Sequence, residues 1–450
     1  MTNVFKRDAI FAIIMTNNLA ELVSVLPELR RIAPNNINHA LLLEVVDQVT
    51  SDARTILPEK RSGFTFDALF YTNLYCTLTH LAPKKGTRDL RSLWKGKEAY
   101  FQRFLKRLFK NGKKRQALPD QPTMSRFLKM IKENGISEEF GNLLLWAQFL
   151  YMQKESKIGD DLTLIADYHD EPCHKDKNDP YCFGTKGGKM VHRTLVFSVI
   201  SKSLHLVIAT FKIQKNQHKL PLFDQIKTKL VSSGAKIKYF LIDRGFYRKE
   251  ILVHLKEWHI TTIIPGRSCN DTRKKIQLWI QDQSGRTGKL FLKVKYVKKF
   301  GWKRLTMDFI LYGKRGHTLA EVKQDLRKGT ISEAEASKRI FPLLVIKGNS
   351  RGVQMIHGNE DYIRSLYRER WAIEIAFRET HLIGIGNFYQ NREKKLFHFN
   401  LKCFIYNLWQ IERQKISMTS TSQEPLSLDE FCGRLIVNRT KITRDGKNIQ

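Results

Sequence analysis

Two short apolar runs that each end on an aspartate constrain this chain more than any other feature. Residues 162–166 lead into Asp167, and Lys238-Tyr239-Phe240-Leu241-Ile242 leads into Asp243-Arg244-Gly245-Phe246. Runs this short, apolar and bounded by a charge or a glycine read as buried strands. Between and after them the periodicity alternates. Residues 189–200 and 204–213 read as hairpin strands joined at Ser201-Lys202-Ser203, 221–232 and 249–258 as helices, and 260–264 as a strand. That order predicts an α/β sheet with mixed strand directions. Ligands of such sheets gather where strands end, which is where this reading puts both aspartates.

The flanking sequence has a different texture. Residues 1–155 read as an all-helical domain, with a strongly basic amphipathic helix at 101–110, a helix from Pro122 and another capped by Ser137. Short consecutive helices suit either a helix-turn-helix-like DNA reader or a plain bundle. Residues 267–356 read as a basic, β-rich insertion between 160–266 and 357–415, with a turn at Phe300-Gly301-Trp302. Helices resume at 361–382 and 395–413, and 416–450 form a Ser-, Thr- and Lys-rich tail.

Charge narrows the function classes. The 450 residues hold 78 Lys and Arg against 44 Asp and Glu, a net of +34. Such an excess adds nothing to a fold, but it attracts a polyanion, and nucleic acid is the leading partner. No stretch reaches the ~18 to 20 apolar residues of a membrane span. The first nineteen residues read as a helix and not as a signal peptide. Six cysteines show no paired framework, which implies a reduced, cytosolic protein. His169, Cys173, His174 and Cys182 are metal-ligand types within fourteen residues, but their spacing fits no common zinc pattern and reads as a flexible loop near the site. Gly184-x-x-Gly187-Gly188-Lys189 lacks phosphate-loop spacing and reads as a turn.

A third carboxylate lies on the segment Tyr367-Arg368-Glu369-Arg370-Trp371-Ala372-Ile373-Glu374, which continues to Phe377, Arg378 and His381. In one continuous helix, Tyr367, Arg370 and Glu374 share a face. Singly each residue has a plainer explanation: an aspartate at a strand end is commonly a cap, and a glutamate beside an arginine a solvated pair. Together, Asp167, Asp243 and Glu374 offer three hard oxygen donors suited to Mg²⁺ or Mn²⁺. Two such ions ~3.5 to 4 Å apart serve phosphodiester chemistry, and Arg370 suits a phosphate.

The pattern Tyr367-x-x-Arg370-x-x-x-Glu374-x-x-x-x-x-x-His381 resembles the Y-R-E-K signature of insertion-sequence transposases of the DDE type, the group often called IS-four. Asp243-Arg244-Gly245-Phe246 resembles the second-aspartate motif of that family, and Ile165-Ala166-Asp167-Tyr168-His169 its first. The resemblance covers roughly residues 160–410, and the gaps of 76 (243 − 167) and 131 (374 − 243) residues suit it. It implies an RNase H-like core with a β-rich insertion, and Asp167, Asp243 and Glu374 as a catalytic triad binding two Mg²⁺ or Mn²⁺ ions. It implies DNA contacts from Tyr367, Arg370, His381, Arg244 and Trp302, the last against a flipped base. The chain departs from the signature at His381, where a lysine is expected; a histidine is mostly neutral at pH 7 unless a phosphate raises its pKa. The implied activity is cut-and-paste transposition on terminal inverted repeats and target DNA, by a homodimer when DNA is bound, at the nucleoid of a prokaryotic cytoplasm. The alternatives are a metal-dependent nuclease of the same core and a decayed, DNA-binding protein.

Overall fold

A computed structural model describes residues 121–154, 158–159, 161–173, 179–185, 187–202, 204–267, 270–295, 302–314, 316–348, 358–383, 391–419 and 427–428, with Asn73, Thr77 and Phe431. In chain order these form α1 (Gln121–Asn134), α2 (Ser137–Lys154), β1 (Asp161–Pro172), β2 (Cys182–Gly184), β3 (Met190–Ser201), β4 (Leu204–Lys212), α3 (Leu220–Ser232), β5 (Lys236–Ile242), α4 (Lys249–Glu257) and β6 (Thr261–Pro265). There follow α5 (Asn270–Ile280), β7 (Thr287–Lys295), β8 (Trp302–Gly313), α6 (Leu319–Arg327), α7 (Glu333–Lys338), β9 (Ile340–Ile346), α8 (Glu360–Arg368), α9 (Trp371–Leu382) and α10 (Arg392–Thr419). The expected basic helix at 101–110, the strand-like run 353–356 and nearly all of the tail lie outside the described residues. None of the described helices is long and apolar enough to cross a membrane.

The chain divides into two compact units, residues 1–149 with 379–450, and residues 150–378. In the first, α1 and α2 pack on α10. Phe397 of α10 meets Phe127 edge-on and Phe140 face-on, with centroids 5.9 and 5.8 Å away. Two buried amides fix the register: Gln148 donates to the Phe404 carbonyl, and Asn407 donates to Gln148. Ser137, expected as a cap, is instead the first helical residue, and its hydroxyl donates to the Glu393 carbonyl. Gly141 admits Asn400, because a Cβ there would collide with the Asn400 side-chain amide. These described helices form a packed bundle.

The second unit is a mixed α/β sheet in the order β2-β3-β1-β5-β6-β9-β8-β7, with β4 also on β3. β1, β5 and β6 run parallel, as the buried apolar runs require. β3 and β4 form the expected hairpin, and β4 is buried along almost its whole length. The described strands of 267–356 make no separate sheet: β9 pairs antiparallel with β6, and β8 and β7 extend the same sheet. Helix α5 has no counterpart in the sequence reading; its lysines and arginine masked a short apolar face, Ile276, Trp279 and Ile280. Phe223 of α3 anchors the core by meeting Phe197 of β3, Phe240 of β5 and Phe246, all within 5.6 Å. Burying one such ring stabilises by roughly 1.5–3 kcal/mol.

Candidate functional site

Parallel pairing of β1 with β5 ends at Ala166 and Ile242, so the next residues, Asp167 and Asp243, emerge side by side. Asp167 does not end its strand, as its apolar run suggests. β1 continues to Pro172 because its other edge stays paired with β3 as far as Val191. Asp243 does leave the sheet. Its carboxylate accepts from the Gly245 amide at 3.0 Å and caps a single 3-10 turn, Arg244–Phe246. Phe246, at the end of that turn, stacks on Tyr168 at 4.5 Å, tying the core to the residue beside Asp167.

The segment with the third carboxylate is not one helix. It breaks at Glu369 and Arg370, where amides bond three residues back: Glu369 to Leu366, Arg370 to Tyr367, Ala372 to Glu369 and Ile373 to Arg370. These tighter turns rotate the chain between α8 and α9, yet Arg370 still meets both Glu374 and the Tyr367 ring. α8 is held to the sheet by the Tyr239 hydroxyl against that of Tyr362 at 3.1 Å, and by the Tyr312 hydroxyl donating to the Glu360 carbonyl at 2.5 Å.

The break turns Arg370 inward. Its guanidinium donates from Nη1 to Asp167 Oδ2 and from Nη2 to Glu374 Oε1, both at 2.5 Å. Asp167 is 9% and Arg370 8% exposed, whereas Glu374 is exposed. Arg370 thus lies between two of the predicted ligands, with Tyr367 5.6 Å away beneath its guanidinium. Among the described residues, no three His, Cys, Asp or Glu side chains are drawn together tightly enough to grip an ion.

Electrostatics follow from burial. Desolvation pushes the Asp167 carboxyl up to about 6; Arg370 and the Tyr168 amide oppose the rise, and the charges of Asp243 and Glu374 add to it. Burial works against the Arg370 cation, but Tyr367, Asp167, Glu374 and Asp243 together hold its pKa above the usual value. Burial likewise pushes the Tyr367 phenol upward.

Asp167 and Asp243 open into a groove of about 1020 Å³. Six cations line it: Arg193, Lys215, Lys219, Arg244, Arg248 and Arg267. Only Arg244 was expected from the sequence. The net charge signalled a basic surface but not its position; Arg248, four residues past Arg244, was the closest available cue. Arg193 is held by a two-pronged bond to Asp170, 2.7 Å on each side. His381 is exposed in the last turn of α9. Trp302 begins β8, but its side chain lies outside the described residues, as do Phe300 and Gly301.

Of the suggested metal-ligand types, Cys173 and Cys182 come together, sulfur to sulfur at 2.7 Å. His169 is buried against the Phe377 ring, and His174 lies outside the described residues.

No curated protein matches the chain. A piggyBac transposase synaptic complex with hairpin DNA is similar at 10% identity and a TM-score of 0.45, covering 88% of this chain and 77% of that one. A Drosophila P element transposase strand transfer complex is similar at 12% identity and a TM-score of 0.21, covering 89% and 99%. Likeness of that degree carries no weight for fold or function. Residues 158–408, more than half of the chain, match the family described as "Transposase DDE domain". The chain belongs to that family of DDE transposase domains.

Proposed function

We propose that this protein is a cut-and-paste DNA transposase of the IS-four type, with an RNase H-like core, acting as a dimer on paired DNA ends in a prokaryotic cytoplasm. The observation that carries this reading is the convergence of Asp167 and Asp243 on adjoining parallel strands, with Arg370 tying Asp167 to Glu374. Family membership supports enzymatic action on DNA through divalent metal ions.

Asp167, Asp243 and Glu374 are the residues to hold the metal. The donor set fits: all three are hard carboxylates, and the buried Asp167 already takes a cationic partner, Arg370. Two bound Mg²⁺ or Mn²⁺ ions supply activation of the attacking oxygen and stabilisation of the leaving one. The chain's own residues do the rest. Arg370 keeps the carboxylates oriented, Tyr168 and Phe246 brace the residues beside the two aspartates, and the groove cations draw the phosphate backbone toward them. Tyr367, His381 and Trp302 are further candidates for contact with the DNA ends.

The test is a gel assay with a labelled terminal repeat, a supercoiled target and Mg²⁺. Joined product supports transposition. Free nicks without joined product turn the reading to a nuclease, and binding without nicks to a decayed enzyme.

A further inference from the structure

We infer that Cys173 and Cys182 form a redox-responsive disulfide that fastens residues 179–183 to the rim of the groove. Both are thiols here, with sulfurs 2.7 Å apart. Each is anchored to one edge of β3, and their side chains span the space between. The Cys173 amide donates to the Met190 carbonyl on one side of β3, and Cys182 pairs in register with His192 on the other. Two cysteines nine residues apart are thereby brought to the same end of one strand.

The distance separates the two chemistries open to a cysteine pair. Two thiolates on one tetrahedral zinc, each at ~2.3 Å, stand ~3.8 Å apart. A disulfide needs ~2.0 Å, so the two sulfurs stand less than about 1 Å outside bonding distance.

The segment matters because it holds the groove wall. Asp179 bonds His192 at 3.0 Å and accepts from the Tyr181 amide at 2.8 Å. The Lys215 amide donates to the Pro180 carbonyl, and the Gln214 amide group to the Tyr181 hydroxyl. Lys215 and Phe183 both line the groove, so pinning Cys182 pins them.

The oxidant is a disulfide of low molecular weight, such as glutathione disulfide. Cys173, the more exposed thiol, attacks it as a thiolate, and one glutathione leaves with the electron pair of the broken bond. The Cys182 thiolate then attacks the Cys173 sulfur of the mixed disulfide, and the second glutathione leaves. The two cysteines lose two protons and two electrons; glutathione disulfide takes up both pairs and becomes two glutathiones.

The experiment treats the full-length protein with glutathione disulfide, blocks remaining thiols in denaturant, and digests with trypsin without reductant. Cleavage after Lys157, Lys175, Lys177 and Lys186 separates the two cysteines onto peptides 158–175 and 178–186. The expected result is this pair joined, two hydrogens lighter than its parts, and released by reductant. Recovery of both peptides fully blocked after oxidation overturns the inference. One zinc per chain in the untreated protein, lost on thiol blocking, also overturns it in favour of a metal site. Hydrogen exchange tests the fastening. Amides of 179–183 are expected to exchange at least about tenfold more slowly when oxidised, and Cys173→Ser to remove that difference. Linked peptides with unchanged exchange overturn the fastening.

Discussion

Arg370 reaches Asp167 across 203 residues of sequence and donates to its buried carboxylate at 2.5 Å. Removing one partner of such a pair leaves the other charge stranded, which costs about 3–5 kcal/mol. Arg370→Ala is therefore expected to lose that much stability in urea unfolding without metal. Arg370→Lys, which keeps the charge but not the fork, should lose less. Added Mg²⁺ should restore more stability to Arg370→Ala than to the parent, because the ion takes over the role of the guanidinium. Equal effects on both would show that arginine and metal do not share a site.

Asp167 makes stability depend on pH in an unusual direction. Its carboxyl titrates at about 6 when folded, against an ordinary value of 3.8, raised mainly by burial. Between those values the folded state binds more protons than the unfolded one, so this group's contribution falls as pH rises through the window, by about 3 kcal/mol, and is constant above it. Asp167→Asn cannot titrate. Its stability relative to the parent should be about 3 kcal/mol better at pH 7.5 than at pH 3.5, as measured by denaturant midpoints in metal-free buffer.

His205 supplies the opposite slope. Burial pushes its imidazole down to about 3, against an ordinary value of 6.5. The stability tied to its neutral form is fully present above pH 6.5 and is lost as pH falls toward 3, by up to about 5 kcal/mol. His205→Gln should unfold less steeply with acid over that window. A parallel acid profile in the variant would assign the loss to other groups.

Alanine at Asp167, Asp243 or Glu374 should lower cleavage of a terminal-repeat duplex by at least about a thousandfold, the equivalent of losing several kcal/mol of charge stabilisation. Binding of the same duplex should stay within about threefold, because the groove cations remain. Residual cleavage in any of the three would remove that residue from the triad.

Arg244 and Arg248 are exposed on the groove wall. If each neutralises one phosphate, alanine at either should reduce the slope of log affinity against log salt by about 0.9. Unchanged slopes would place the DNA path elsewhere.

Gly141→Ala would ordinarily favour a helix by about 1 kcal/mol. Here the new methyl collides with Asn400, whose amide is held by the Ser137 carbonyl at 3.0 Å. A net loss of about 1–3 kcal/mol is expected on thermal unfolding.

The sequence by itself determined the two buried strands that lead to Asp167 and Asp243 and the hairpin after the first; that those two strands run parallel and adjacent only the fold decided. Each rests on local pattern: a buried strand is an unbroken apolar run, and its end is marked by the first charge. The α/β character and the basic surface were legible for the same reason, since burial and net charge are properties of composition and spacing. Only the tertiary structure decided the rest. β1 runs past Asp167 because β3 pairs with it there, and no run of residues in β1 encodes its neighbour. The helix breaks at Glu369 and Arg370 where the guanidinium turns in to Asp167, 203 residues away, against a helical periodicity that continues unbroken. Cys173 and Cys182 meet sulfur to sulfur from opposite edges of β3, a contact that their spacing does not reveal.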